Sequence, residues 1–192
     1  MDLLQKQSQL QKEGKELLGK IGLMEFLSKF GKPSIVGSMA SGLMAWRDID
    51  IEIVKDELSE NEYWETVKFL FQIKDLYHSL HIQDFRKSVN PITPKGLYIE
   101  TKVNDNGNTW KIDVWFMPPR QKGELNYNEW IKDKLTDENK KIILQIKNQI
   151  NNNPKYRKEI FAVDIYKAVI DNGVKDMEGF TKYLVNQSKS LS

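Results

Sequence analysis

The 192-residue chain has no cysteine and only two histidines, His78 and His81. Disulfides, thiolate zinc sites and a cysteine nucleophile are therefore excluded, and any metal must be held by oxygen or by one of those two imidazoles. The histidines stand three apart with no third nitrogen or sulfur to join them, so they read as surface or capping groups. Long apolar runs are also missing. Nothing approaches the roughly 18 residues needed to cross a bilayer, and charges from Asp2 and Lys6 onward leave no apolar core for a secretion signal. The expectation is a cytoplasmic chain with no membrane partner. Charge of one sign is scarce as well: a formal net charge of +2 is too small for the electrostatic footprint of a nucleic-acid binder.

What is present is the composition of a folded domain, with 40% hydrophobic and 29% charged residues. The length suits one domain, or a domain of about 120 residues with a smaller helical appendage. Residues 1 to 119 carry 15 Lys+Arg against 17 Asp+Glu, and residues 120 to 192 carry 14 against 10, so carboxylate is concentrated in the front.

The pattern changes at the same place. Leu17, Leu18, Ile21, Met24 and Leu27 form one helical stripe in a segment running to about Phe30, stopped by Gly31 and Pro33. Ser34 to Val36 reads as a short strand entering Gly37. Asp48 to Val54 alternates acids with isoleucines, a strand with carboxylates on one face. A helix is predicted from about Glu62 to Leu80, then strands at Phe85 to Val89, Gly96 to Val103 and Thr109 to Phe116. Asn106-Gly107 makes the last two a hairpin, because both residues tolerate positive φ. After Pro118-Pro119 only helices are predicted: one capped by Thr136, one over Glu159 to Ile170, and one carrying Met177, Phe180 and Leu184. The fold class is α+β, a small mixed sheet with flanking helices (residues 1–119) followed by a C-terminal helical bundle (residues 120–192).

The chemistry concentrates in three carboxylates. Asp48 and Asp50, two apart on a strand, aim at the same face about 6–7 Å apart at Cα, where they can straddle one ion or bridge two. Asp113 sits in Trp110-Lys111-Ile112-Asp113-Val114-Trp115-Phe116. A lone carboxylate buried there costs several kcal/mol unless a cation compensates it, and a metal is the simplest explanation. The plainer reading of Asp48, Asp50 and Glu52 as the wet face of an edge strand leaves Asp113 unexplained. Upstream, Gly37-Ser38-Met39-Ala40-Ser41-Gly42 lies where a strand turns, and its glycines let backbone N–H groups approach a phosphate. The five tryptophans read as core, and Lys140, Lys141, Lys147, Lys155, Arg157 and Lys158 as solvated helix faces.

Gly37-Ser38, nine intervening residues, Asp48-Ile49-Asp50 and a later hydrophobic-flanked Asp113 together resemble the signature of the DNA polymerase beta-like nucleotidyltransferase superfamily, in its small bacterial form, over residues 15 to 117. The resemblance implies that Gly37 and Ser38 hold a triphosphate, that Asp48 and Asp50 bind two magnesium (or manganese) ions, and that Asp113 completes the catalytic one. Many members have a basic residue where this chain has Ser41. Ser41, Arg47 and Lys111 therefore join the expected nucleotide-binding set, the last two as sources of positive charge. The implied reaction is in-line attack of an acceptor hydroxyl on the α-phosphorus, with Asp113 or Glu100 taking the proton. By analogy with aminoglycoside and lincosamide nucleotidyltransferases a small-molecule acceptor is expected over a nucleic acid, with a protein acceptor, as for adenylylating antitoxins, left open. The alternative is a catalytically silent binding module or antitoxin-like partner that keeps the nucleotide fold.

Overall fold

Alternating acids and isoleucines do produce a strand, and that strand organises the molecule. The computed structural model describes residues 2–73, 77–89, 93–121 and 124–191, with backbone alone for Tyr77 and His78. In chain order the described elements are α1 (Leu3–Ile21), α2 (Leu23–Leu27), β1 (Pro33–Val36), α3 (Gly37–Ser41), β2 (Asp48–Val54), α4 (Glu60–Phe71), β3 (Tyr77–Asp84), β4 (Leu97–Asp105), β5 (Asn108–Met117), α5 (Tyr127–Lys134), α6 (Asp137–Ile150), α7 (Ala162–Ile170) and α8 (Met177–Asn186). The sheet runs β1-β2-β5-β4-β3. β2 and β5 pair in parallel and every other neighbouring pair is antiparallel, so the sheet is mixed and the fold is α+β.

The two faces follow from the period of two. Ile49, Ile51 and Ile53 point into one core with Ile112, Val114, Phe116 and Ile99, covered by Leu17, Leu23 and Leu27 from α1 and α2 and Leu70 from α4. The opposite face carries the acids. A second core, built from Ile131, Ile143, Ile146, Ile165, Phe180 and Leu184 of the later helices, takes in Leu43 from the front of the chain. No helix of the described residues is long and apolar enough to cross a membrane.

Four sequence expectations are corrected. The opening helix breaks at Gly22, whose φ of 66° is left-handed, well before Phe30. The helix predicted to Leu80 ends at Phe71; residues 74–76 lie outside the described ones, and Tyr77–Asp84 is a strand paired with β4. Helical spacing of the apolar residues lost there to cross-strand hydrogen bonding, which no local pattern reports. The strand predicted at Phe85 to Val89 is instead a turn, closed by the Ser88 N–H donating to the Phe85 carbonyl at 3.0 Å. The helix predicted from Glu159 starts at Ala162, because Ile160 is held in a bridge with Tyr156 and Phe161 is extended, with φ of −116° and ψ of 165°. The short helix α3 begins at the turn expected at Gly37, and α5 was not predicted. The hairpin was: Asn106 and Gly107 have φ of 49° and 74° between β4 and β5.

Candidate active site

Parallel pairing of β2 with β5 puts Asp50 directly opposite Asp113, and Asp48 opposite Lys111. One carboxylate oxygen each of Asp48, Asp50 and Asp113 lies within 4.8 Å of the others, a separation a metal ion can bridge. On the far side of Asp113, β4 places Glu100 in register. Lys111 reaches into this group: its Nζ is 2.5 Å from Asp113 Oδ2, 3.5 Å from Asp48 Oδ1 and 3.9 Å from Glu100 Oε2. The Tyr98 hydroxyl lies 3.0 Å from Asp113 Oδ1 and 3.2 Å from Glu100 Oε2, able to donate its one proton to either.

Burial sets the electrostatics. It pushes Asp50 well above the usual carboxylate range, aided by repulsion from Asp48 and Asp113 and only partly offset by Lys111 and Lys147. Asp113 is raised to about 6 by burial, although Lys111 pulls the other way. For Lys111, burial alone would lower the ammonium, but attraction to Asp48 and Asp113 outweighs it and holds the group above its ordinary value. Burial and the charges of Asp113 and Glu100 keep Tyr98 protonated. Lys111 thus faces more carboxylate than it alone neutralises. Asp48 Oδ1 is buried with no hydrogen-bond partner, the kind of orphaned acceptor that a cation satisfies. The donor set, all oxygen and held on two strands, fits a hard divalent ion.

Beside the acids, Gly37 turns β1 into α3 with a φ of 62°. A Cβ there would lie 2.6 Å from Asp50 Oδ2, so no larger residue lets the backbone pass this close to the acid. The Gly37 N–H donates to Asn128 Oδ1 on α5 at 2.9 Å. A groove of about 880 Å³ opens from Gly37 and Asp50 along the acid face, lined by Glu52, Trp115, Arg120 and Tyr127 among others. Glu52 and Arg120 pair at 3.0 Å within it.

Of the residues expected from sequence, Asp48, Asp50, Asp113, Glu100, Lys111 and Gly37 are gathered on this face, with Ser38 in the first turn of α3. Lys111 lies among the carboxylates, not at the Gly37 turn. Ser41 donates its hydroxyl to the Gly37 carbonyl at 2.9 Å and so closes α3. Arg47 is not brought to the acids. Its guanidinium pairs with Glu13 of α1 at 2.9 Å and lies over the Trp110 ring, on the other side of the sheet. His81 Nδ1 stands 3.8 Å from Glu100, and the His78 side chain lies outside the described ones. Two readings are corrected. Lys147 is fully buried where a solvated face was expected, and Trp64 is half exposed where core was expected. Sequence reasoning missed Trp46 and Asn128 as neighbours of the site. Trp46 had one signal, its place two residues before Asp48, and Asn128 had none.

No protein-family model matches the chain, and no curated protein matches it. Among solved structures it is similar to the non-canonical poly(A) polymerase complex GLD-2–GLD-3, with a TM-score of 0.54 and 12% sequence identity over 88% of this chain. It covers 58% of that chain. At that identity the likeness establishes fold alone: the chain has a nucleotidyltransferase fold, with an acidic triad on the sheet face.

Proposed function

We propose that this chain is a metal-dependent nucleotidyltransferase that moves a nucleoside monophosphate from a triphosphate to a hydroxyl of a small-molecule acceptor. The observation that carries this reading is the convergence of Asp48, Asp50 and Asp113, with a buried Asp48 oxygen that accepts no hydrogen bond, beside a glycine turn at the mouth of a groove. Asp48, Asp50 and Asp113 would hold magnesium or manganese, which when bound supplies Lewis-acid stabilisation of the entering and leaving oxygens. The Gly37 N–H and Ser38 bind the triphosphate tail, and the groove takes the nucleoside. The acceptor oxygen bonds to the α-phosphorus as the bond to the bridging oxygen of the β-phosphate breaks. Pyrophosphate leaves with that electron pair, and the hydroxyl proton passes to Asp113 or, one strand over, to Glu100. The small net charge favours a small acceptor over a polynucleotide, the class that the name of the polymerase neighbour suggests.

A second reading, a binding module that no longer turns over, is favoured by two contacts. Asn128 already accepts from the Gly37 N–H, and Lys111 already sits among the acids. Pyrophosphate release, assayed with magnesium, each nucleoside triphosphate and panels of hydroxylated small molecules, oligoadenylates and proteins, separates the two. The expected result is release with a small molecule, reduced at least a hundredfold in Asp48→Asn and Asp113→Asn. Transfer to oligoadenylate alone would replace the acceptor class, and silence throughout with triphosphate still bound would establish the module.

A further inference from the structure

Asp48 differs from its two partners in what holds it. The Trp46 indole Nε1–H donates to Asp48 Oδ2 at 3.3 Å, leaving Oδ1 buried without a hydrogen-bond partner, 3.5 Å from Lys111 Nζ. The indole is itself gripped. The Arg157 guanidinium carbon lies 4.2 Å from its ring centroid, Lys147 Nζ lies 4.7 Å from it, and the Tyr156 ring meets it edge-on at 5.5 Å. Each gripping cation is fixed in turn. Lys147 is fully buried on α6 and donates to the Leu43 carbonyl at 2.6 Å and to the Tyr166 hydroxyl at 3.4 Å. Arg157 stands in a turn with left-handed φ, its side chain donating to Asn151 Oδ1 at 3.1 Å and its backbone N–H to the Ile160 carbonyl at 2.7 Å.

We propose that Trp46 is a positioning residue for the metal site, orienting the Asp48 carboxylate, and that the Lys147–Arg157 clamp from the later helices sets that orientation. This rests on the reading of Asp48, Asp50 and Asp113 as a metal site. Outer partners of this kind typically change metal affinity ten- to a hundredfold when removed. The clamp also makes a prediction whose sign separates it from plain electrostatics. Arg157 is positive and lies on the indole that bonds Asp48, and protonated Lys147 interacts with Asp48 and Asp50, so if they acted by charge alone, removing one would tighten binding of a divalent cation. If they act by holding Trp46, removing one loosens it.

The test is manganese binding to the full-length protein, read from the electron-paramagnetic signal of free Mn²⁺, for wild type, Trp46→Phe and Arg157→Gln. The expected result is binding about tenfold weaker in Trp46→Phe and several-fold weaker in Arg157→Gln despite the lost positive charge. In the wild type, the Trp46 indole N–H resonance shifts on adding magnesium. Should Trp46→Phe fail to fold, Arg157→Gln decides, since that side chain is exposed. Unchanged or tighter binding in Arg157→Gln, or unchanged binding in Trp46→Phe, overturns the proposal while leaving the metal site intact. Absence of binding by the wild type overturns both.

Discussion

At the scale of single residues, the site is a conflict held in place by the strands. Asp50 and Asp113 are side by side because parallel register leaves them no choice, and both are held above the usual carboxylate range. A carboxyl raised in the folded state relative to the unfolded chain stabilises the fold below the unfolded value, near 4, and loses that contribution as pH rises through the folded value. For Asp113 the folded value is about 6. The metal-free protein is therefore expected to lose on the order of a few kcal/mol between pH 4 and pH 8. Magnesium binds the ionised acids, so its stabilising effect grows over the same interval. Thermal melts in chelator and in magnesium at pH 5, 6, 7 and 8 check this: the two curves of melting temperature should diverge with pH, and parallel curves would remove the acids from metal binding.

At the scale of elements, the position most at odds with its surroundings is on α6. Lys147 is fully buried and its ammonium is depressed to about 7, first by burial and then by Arg157, against the pull of Asp48 and Asp50. A lysine lowered in the folded state stabilises the fold above its unfolded value and loses that contribution as pH falls through the folded one. Lys147→Met keeps the length of the side chain without the charge. Its stability relative to wild type is therefore expected to rise as pH falls from 9 to 6, by about 1 kcal/mol or more. Urea denaturation at both pH values measures it, and a difference independent of pH would mean that the amine stays charged in the folded chain as it is in the unfolded one. The same helix shows why element types were easier to read than element faces. Thr136 caps it through the Asn139 N–H at 3.1 Å, as its sequence announces. Nothing in Lys147 itself says that the carbonyl of Leu43, distant in sequence, will accept from it.

At the scale of the whole molecule, one core lies on the sheet face away from the acids and a second is built by the later helices. Ile and Leu side chains of the sheet and first helices make one, and the later helices make the other and draw in Leu43 from between α3 and β2. The groove at Gly37 and Asp50 is walled by the sheet face and by Pro118, Arg120, Leu125 and Tyr127 among the described residues that follow β5. A ligand that bridges these walls binds only the folded chain. At a hundred times its dissociation constant, a nucleoside triphosphate with magnesium is expected to stabilise the protein by about 2.7 kcal/mol, or roughly 5–10 °C in melting temperature at this size. The shift should vanish in Asp113→Asn. A shift that survives the substitution would place the nucleotide elsewhere, and none with any triphosphate would argue against a nucleotide site.

Much of this was legible along the chain, because strand alternation, helix caps and the Asn106-Gly107 turn act over a few residues. The run from Asp48 to Val54 and the odd carboxylate at Asp113 were enough to name the triad, since a buried acid among Trp, Val and Phe demands a partner wherever it lies. What needed the folded chain was everything set by pairing between distant segments. That includes the strand at Tyr77–Asp84, which exists through its bonds to β4, and the turning of Arg47 toward Glu13. It also includes the closing of Trp46 between Lys147 and Arg157. Those contacts join residues far apart in sequence, and a local pattern holds no information about which remote surface will cover it.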